Sequence, residues 1–151
     1  MAEMAQSRYG MMNKVSGRLH LSVYEQGRLI EQIEGGNRVV GNSKLILSRL
    51  AFGDQAWAIN QIGFGVNGEV TADSDFALTA AYVKAITSVT YPSQRSIAFN
   101  FSLDAGEAVG KPISEMGLLS ANGTLFARKT RASPLVKTAV MAFSGSWIIT
   151  F

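Results

Sequence analysis

Ile97, Phe99, Phe101 and Leu103 fall at every second position of one short stretch, a spacing that only an extended strand gathers on one face. The same alternation sets Leu19, Leu21 and Val23 against Arg18, His20 and Ser22, and it returns near the end in Met141, Phe143, Gly145, Trp147, Ile149 and Phe151. Three amphipathic strands this far apart in sequence need one shared core, which constrains the chain to an all-β design.

The intervening residues supply the remaining strands and their turns. Gln26-Gly27 closes a hairpin whose second arm carries Leu29, Glu31 and Ile33 opposite Ile30 and Gln32, with Gly35-Gly36-Asn37 expected to break it. After Gly41, Asn42 or Ser43 is placed to cap a short helix with Leu45, Ile46, Leu47 and Leu50 on its apolar face and Gly53 at its stop. Residues 59–65 read as a strand in which glycines on either side of Phe64 imply a bulge or a close backbone approach. Residues 66–80 are polar and acidic and read as a long loop, of a length that in a compact domain is functional or held by a partner. Strands are expected again over residues 83–91 and 96–103. Residues 113–119 and 124–130 flank Ser120-Ala121-Asn122-Gly123, a hairpin signal. The expectation is an antiparallel β-sandwich of about seven or eight strands with one short helix. It forms a single domain over residues 17–151, preceded by an N-terminal arm over residues 1–16.

Composition narrows what such a fold is for. Hydrophobic residues make up 47% of the 151 and charged residues 17%, below the roughly 25% charged of an average soluble domain, so part of the surface is expected to be covered by another subunit. No cysteine is present, which excludes disulfides, thiolate metal sites and cysteine nucleophiles. Apolar runs stay far below the roughly 20 residues of a membrane-spanning helix, so no membrane role is expected. The first residues, with Glu3 early, do not read as a secretory signal. A net charge of +3 without a concentrated basic stripe does not favour nucleic acid. Residues 51–76 hold Asp54, Glu69, Asp73 and Asp75 with no Lys or Arg, whereas residues 122–151 hold Arg128, Lys129, Arg131 and Lys137 with no acid. These two stretches attract one another, within a chain or between chains.

Candidate chemistry is sparse. A triad would have to centre on His20, the one histidine, with Glu25 or Asp104 behind it, yet no nucleophile-elbow serine accompanies it. The acidic run over residues 68–75 offers oxygens to calcium but lacks the glycine and terminal glutamate of an EF-hand, and it reads first as a solvated loop or one facing a basic surface. Asp104 and Glu107 carry no sign of an acid and base tuned apart. No phosphate-binding loop or dinucleotide fingerprint is present, and no cofactor is called for. The expected interface residues are therefore the basic Arg128, Lys129, Arg131 and Lys137, the acidic Glu69, Asp73 and Asp75, and Trp57. Reversing Arg128, Lys129 and Arg131 to Glu is expected to abolish association.

Several segments, in order, carry a resemblance: Ile62-Gly63-Phe64-Gly65, Ala77-Leu78-Thr79, Val89-Thr90-Tyr91-Pro92, residues 113–128 (ISEMGLLSANGTLFAR) and Trp147-Ile148-Ile149-Thr150-Phe151. Together they resemble small bacteriophage virion structural proteins related to tail, collar and neck fibre attachment domains. The resemblance implies a non-enzymatic β-sandwich that forms homo-oligomers and binds other virion structural proteins, inside a virion assembled in the host cytoplasm. The chain lacks a repetitive shaft, which turns the expectation toward a compact collar, baseplate or capsid-decorating subunit. The alternative is a module recognising carbohydrate or a host receptor through exposed rings, for which Trp57, Tyr82 and Tyr91 are the candidates.

Overall fold

The computed structural model describes residues 14–151; most of the expected N-terminal arm lies outside the described residues. Nine antiparallel strands follow in chain order: β1 (Ser16–Glu25), β2 (Arg28–Val39), β3 (Ile59–Gly65), β4 (Tyr82–Ala85), β5 (Ser88–Ser93), β6 (Ser96–Leu103), β7 (Pro112–Ser120), β8 (Leu125–Val136) and β9 (Met141–Thr150). One helix, α1 (Ser43–Leu50), and a 3-10 turn (Gln55–Trp57) sit between β2 and β3. The all-β, antiparallel expectation holds. The two expected layers, however, are one continuous curled sheet in the order β4-β3-β7-β8-β2-β1-β9-β6-β5, a half-barrel rather than a sandwich of separate sheets.

Two devices produce that curl. Strand β2 pairs with β1 as far as Gly17↔Asn37 and then with β8 at Arg38↔Arg128 and Val39↔Ala127, so one strand serves both halves. At the other end of the sheet, Ile86 N–H donates to Asn60 O and Thr87 N–H to Asn100 O, so the chain passes from β4 to β5 within two residues. The expected strand over residues 83–91 is thus divided between the two ends of the sheet, and the count rises to nine.

The alternating residues face inward as their spacing requires. Leu19, Leu21, Val23, Phe99, Phe101, Leu103, Phe143, Trp147 and Ile149 are all buried in one cluster with Ile62, Phe64 and Phe126. Phe64 of β3 meets Phe101 and Phe143 edge-on, at ring-centroid distances of 6.1 and 5.9 Å, which ties the two halves of the sheet face to face. Ile46 seals the core from α1, with Leu47 and Leu50 packed against it, whereas Leu45, expected on the same face, is exposed.

Turn chemistry follows the residues. Gln26 and Gly27 both take positive φ, as a tight hairpin between right-twisted strands demands. Gly123 alone takes positive φ in the β7–β8 hairpin. Gly35-Gly36-Asn37 does not end β2 as expected, because these residues stay in register against Gly17, Arg18 and Leu19; sheet pairing here overrides weak glycine propensity.

Candidate functional site

The long loop over residues 66–80 is not a free excursion. Its ends are clamped together: Val66 N–H donates to Thr79 O at 3.0 Å, and the N–H groups of Asn67 and Thr79 both donate to Glu115 Oε2, at 3.0 and 2.8 Å. Closed ends and no regular secondary structure make it an Ω-loop.

Arg128 is the pillar beneath it. Its Nε donates to Glu115 Oε1 at 2.8 Å, Nη1 to Glu69 O at 3.2 Å and to Asp75 Oδ2 at 3.0 Å, and Nη2 to Asn67 O at 2.9 Å. The side chains of Arg128 and Glu115 are 2% and 0% exposed and that of Asp75 22%. A guanidinium survives such burial because most of its five donors find acceptors in a fixed fork. The second carboxylate in the trio is balanced by backbone dipoles: besides the two N–H groups on Glu115, Ala72 N–H donates to Asp75 Oδ2 at 2.9 Å.

Glycines make the room. A Cβ at Gly65 would stand 2.5 Å from Glu115 Oε2, and Cβ atoms at Gly63 and Gly117 would stand 2.6 and 2.8 Å from Leu78 Cδ1. Leu78 instead lies flat over both glycines and packs on a small second core of Val40, Leu119 and Leu125. The close approach expected of the glycines beside Phe64 is therefore real; the bulge of β3 lies elsewhere, between Ile59 and Gln61.

Pinned from below, the loop turns other residues outward. Val70 is 88% exposed and Phe76 75%, and Glu69 is exposed between them and the arginine that holds its carbonyl. Phe76 directly follows the anchored Asp75, so its position is set by the buried pair. Apolar side chains displayed on an ordered loop cost little entropy to bury against a partner.

Several expected interface residues are corrected by this arrangement. Arg128 and Lys137 are buried, so neither presents charge at the surface. Lys137 Nζ donates to the carbonyls of Asp104, Ala105 and Thr138 at 3.0, 2.9 and 3.1 Å, holding the β6–β7 turn, and burial lowers its pKa. The half-buried Lys129 donates to Gly36 O at 3.0 Å, and Arg131 pairs with Glu31 at 3.2 Å. Asp73 pairs with Arg38 at 3.1 Å and Asp75 with Arg128, so the acidic and basic stretches meet within one chain. Trp57 is half-buried and packs against the core. Reversing Arg128, Lys129 and Arg131 together would break the fold before it reported on association. Glu69 alone of the seven charged candidates remains an exposed residue without an ion pair among the described residues.

Two further polar clusters lie away from the Ω-loop, around His20 and around Glu107. His20 Nδ1 lies 3.7 Å from Glu34, not from Glu25 or Asp104. It borders a groove of about 520 Å³ lined by Ser22, Ser88, Asn100, Ser102 and Ser146. There the Ser146 hydroxyl donates to Asn100 Oδ1 at 2.6 Å. Glu107 accepts from Lys84 and from the Tyr82 hydroxyl, both at 2.6 Å, and from Asp104 N–H at 2.9 Å, which together hold its pKa down at about 2. The same contact raises the pKa of Tyr82. Among the described residues no three acidic or histidine side chains converge on a metal position.

Sequence reasoning missed Glu115, Leu78, Val70 and Phe76. One signal for the first was available: a lone acid inside the apolar run Ile113–Leu119, between a predicted strand's core residues, has to be paired. No family model, no curated protein and no solved structure matches this chain.

Proposed function

We propose that this chain is a structural subunit of a bacteriophage virion, from the tail, collar or neck, the baseplate or the capsid decoration, and that it acts by packing against neighbouring subunits. The observation that carries the assembly reading is the pinned Ω-loop with Val70 and Phe76 turned to solvent. Phe52, at 102% exposure, and Tyr91, at 73%, add apolar surface elsewhere, on a chain with few charges to keep it solvated. The strand β5 is exposed along its whole length and carries Pro92, which blunts an edge against indiscriminate pairing. The virion itself is supported by the ordered motif resemblance.

Sedimentation velocity over a concentration series tests the assembly reading. Wild type is expected to self-associate, and Val70→Asp with Phe76→Asp is expected to sediment as a monomer with an unchanged melting temperature. A wild type that stays monomeric and fails to join particles when supplied to them would overturn the reading, and imaging particles that carry a labelled chain would place it.

A carbohydrate-binding reading has the hydroxyl-lined groove beside His20 in its favour. Of the three candidate rings, Trp57 packs on the core, Tyr82 bonds Glu107 and only Tyr91 is exposed, so stacking and hydrogen bonding are not gathered in one place. A glycan array with no signal would dispose of it.

A further inference from the structure

A groove of about 500 Å³ opens between the last turn of α1 and the β5–β6 hairpin. Its walls are apolar: Leu47 and Leu50 of α1, Ile59 at the start of β3, Ile97 and Phe99 of β6, and Phe151. The polar side chains that line it, among them Tyr91 and Arg95, all come from the hairpin, and no acidic side chain is among them. The hairpin is fastened in place. The Ser93 and Ser96 hydroxyls are 2.7 Å apart, Arg95 N–H donates to Ser93 Oγ at 3.2 Å, and Phe151 N–H donates to Arg95 O at 2.8 Å. A groove whose walls are already set asks little reorganisation of itself on binding.

The Ω-loop of the same chain is its complement. Val70 and Phe76 project from that loop as exposed apolar side chains, and the exposed Glu69 beside Val70 has no ion pair among the described residues. At the groove, Arg95 is likewise exposed and without a carboxylate partner among the described residues. Apolar knobs flanked by an acid thus match an apolar hole flanked by a base, in character and in sign. Loop and groove lie at opposite ends of β3, since Ile59 lines the groove and Gly65 leads into the loop. At about 3.3 Å per residue these ends are roughly 20 Å apart. Neither Val70 nor Phe76 lines the groove of its own chain.

We infer that the apolar groove is the docking site for the Ω-loop of a second copy of this chain, with Val70 and Phe76 entering it and Glu69 meeting Arg95. Loop and groove are different patches, so the contact is heterologous, and its repetition builds a closed ring or an open filament instead of stopping at a two-fold dimer. This rests on the reading of the Ω-loop as an assembly surface and supplies the surface it packs against.

Sedimentation velocity of complementary variants tests it. Val70→Asp with Phe76→Asp spoils the loop and keeps the groove, whereas Tyr91→Asp with Arg95→Glu spoils the groove at two exposed side chains and keeps the loop. Each double variant alone is expected to sediment as a monomer, and an equal mixture of the two to form a complex of one copy of each and nothing larger. The charge pair is read separately. Glu69→Arg and Arg95→Glu are each expected to weaken self-association about fivefold, the scale of a rim ion pair, and the two together in one chain to restore it. The Glu69 carbonyl that Arg128 holds is untouched by the first change. A groove variant that self-associates like wild type, a mixture that stays monomeric, or a charge exchange that restores nothing overturns the inference and leaves the loop an assembly surface that packs elsewhere. A wild type that is itself monomeric removes both.

Discussion

Glu115 on β7 and Arg128 on β8 stand diagonally across the strand pair, Oε1 to Nε 2.8 Å, because Arg128 lies opposite Gly117 and Glu115 opposite Thr130. The space over the glycine opposite Arg128 is filled by Leu78 and Leu125. A buried ion pair joined to backbone carbonyls and amides in this way links the sheet to a loop that has no strand or helix of its own.

Removing one member leaves the other buried and uncompensated. Arg128→Met is expected to lower unfolding free energy by about 3–5 kcal/mol, the range for breaking a buried pair from one side. Glu115→Leu should cost a similar amount, and the double variant less than the sum of the singles. Urea unfolding measures all three; additive losses would show that the two side chains do not act as a unit.

Leu78 and the glycines beneath it form a second, independent fastening. Gly63→Ala places a Cβ 2.6 Å from Leu78 Cδ1, and overpacking of this kind costs roughly 1–3 kcal/mol. In the Leu78→Ala background the same change is expected to cost little. Equal costs in both backgrounds, read from a double-mutant cycle, would contradict the contact.

Acid should weaken the fold through Glu107. Its folded pKa of about 2 lies below the ordinary 4.5 because of Lys84, Tyr82 and Asp104 N–H. A depressed carboxyl contributes stability that is present above pH 4.5 and is lost as pH falls from 4.5 toward 2. Glu107→Gln is expected to melt lower than wild type at neutral pH, with the gap closing across that window. A gap that stays constant down to pH 2 would show that the ion pair with Lys84 contributes nothing to folding.

Much of the sheet was legible because period-two spacing is a local property. Ile97 to Leu103, Leu19 to Val23 and Met141 to Ile149 face the core as their alternation requires, whereas Phe151, expected in register with them, lies beyond the end of β9 and is exposed. Joining of the two layers was not legible, since a strand's choice to pair with β1 for most of its length and β8 for two residues depends on the partners and not on β2's own pattern. Charge separation along the chain was read correctly as mutual attraction. Its destination was misjudged for Arg128 and Lys137, because a cation's sequence neighbours do not reveal whether carbonyls and carboxylates from residues 67–75 or 104–105 will enclose it. The apolar tips Val70 and Phe76 were hidden inside a stretch whose average character is acidic.

The amides of Asn67 and Thr79, both resting on Glu115 Oε2, report most directly on whether buried charge holds the loop in place. Site-resolved hydrogen exchange is expected to find them as protected as neighbouring amides of β3 and β7 in wild type, and to find that protection lost in Arg128→Met while the β1–β9 amides keep theirs. Fast exchange at both amides in the wild-type protein would contradict a pinned loop, and with it the display of Val70 and Phe76.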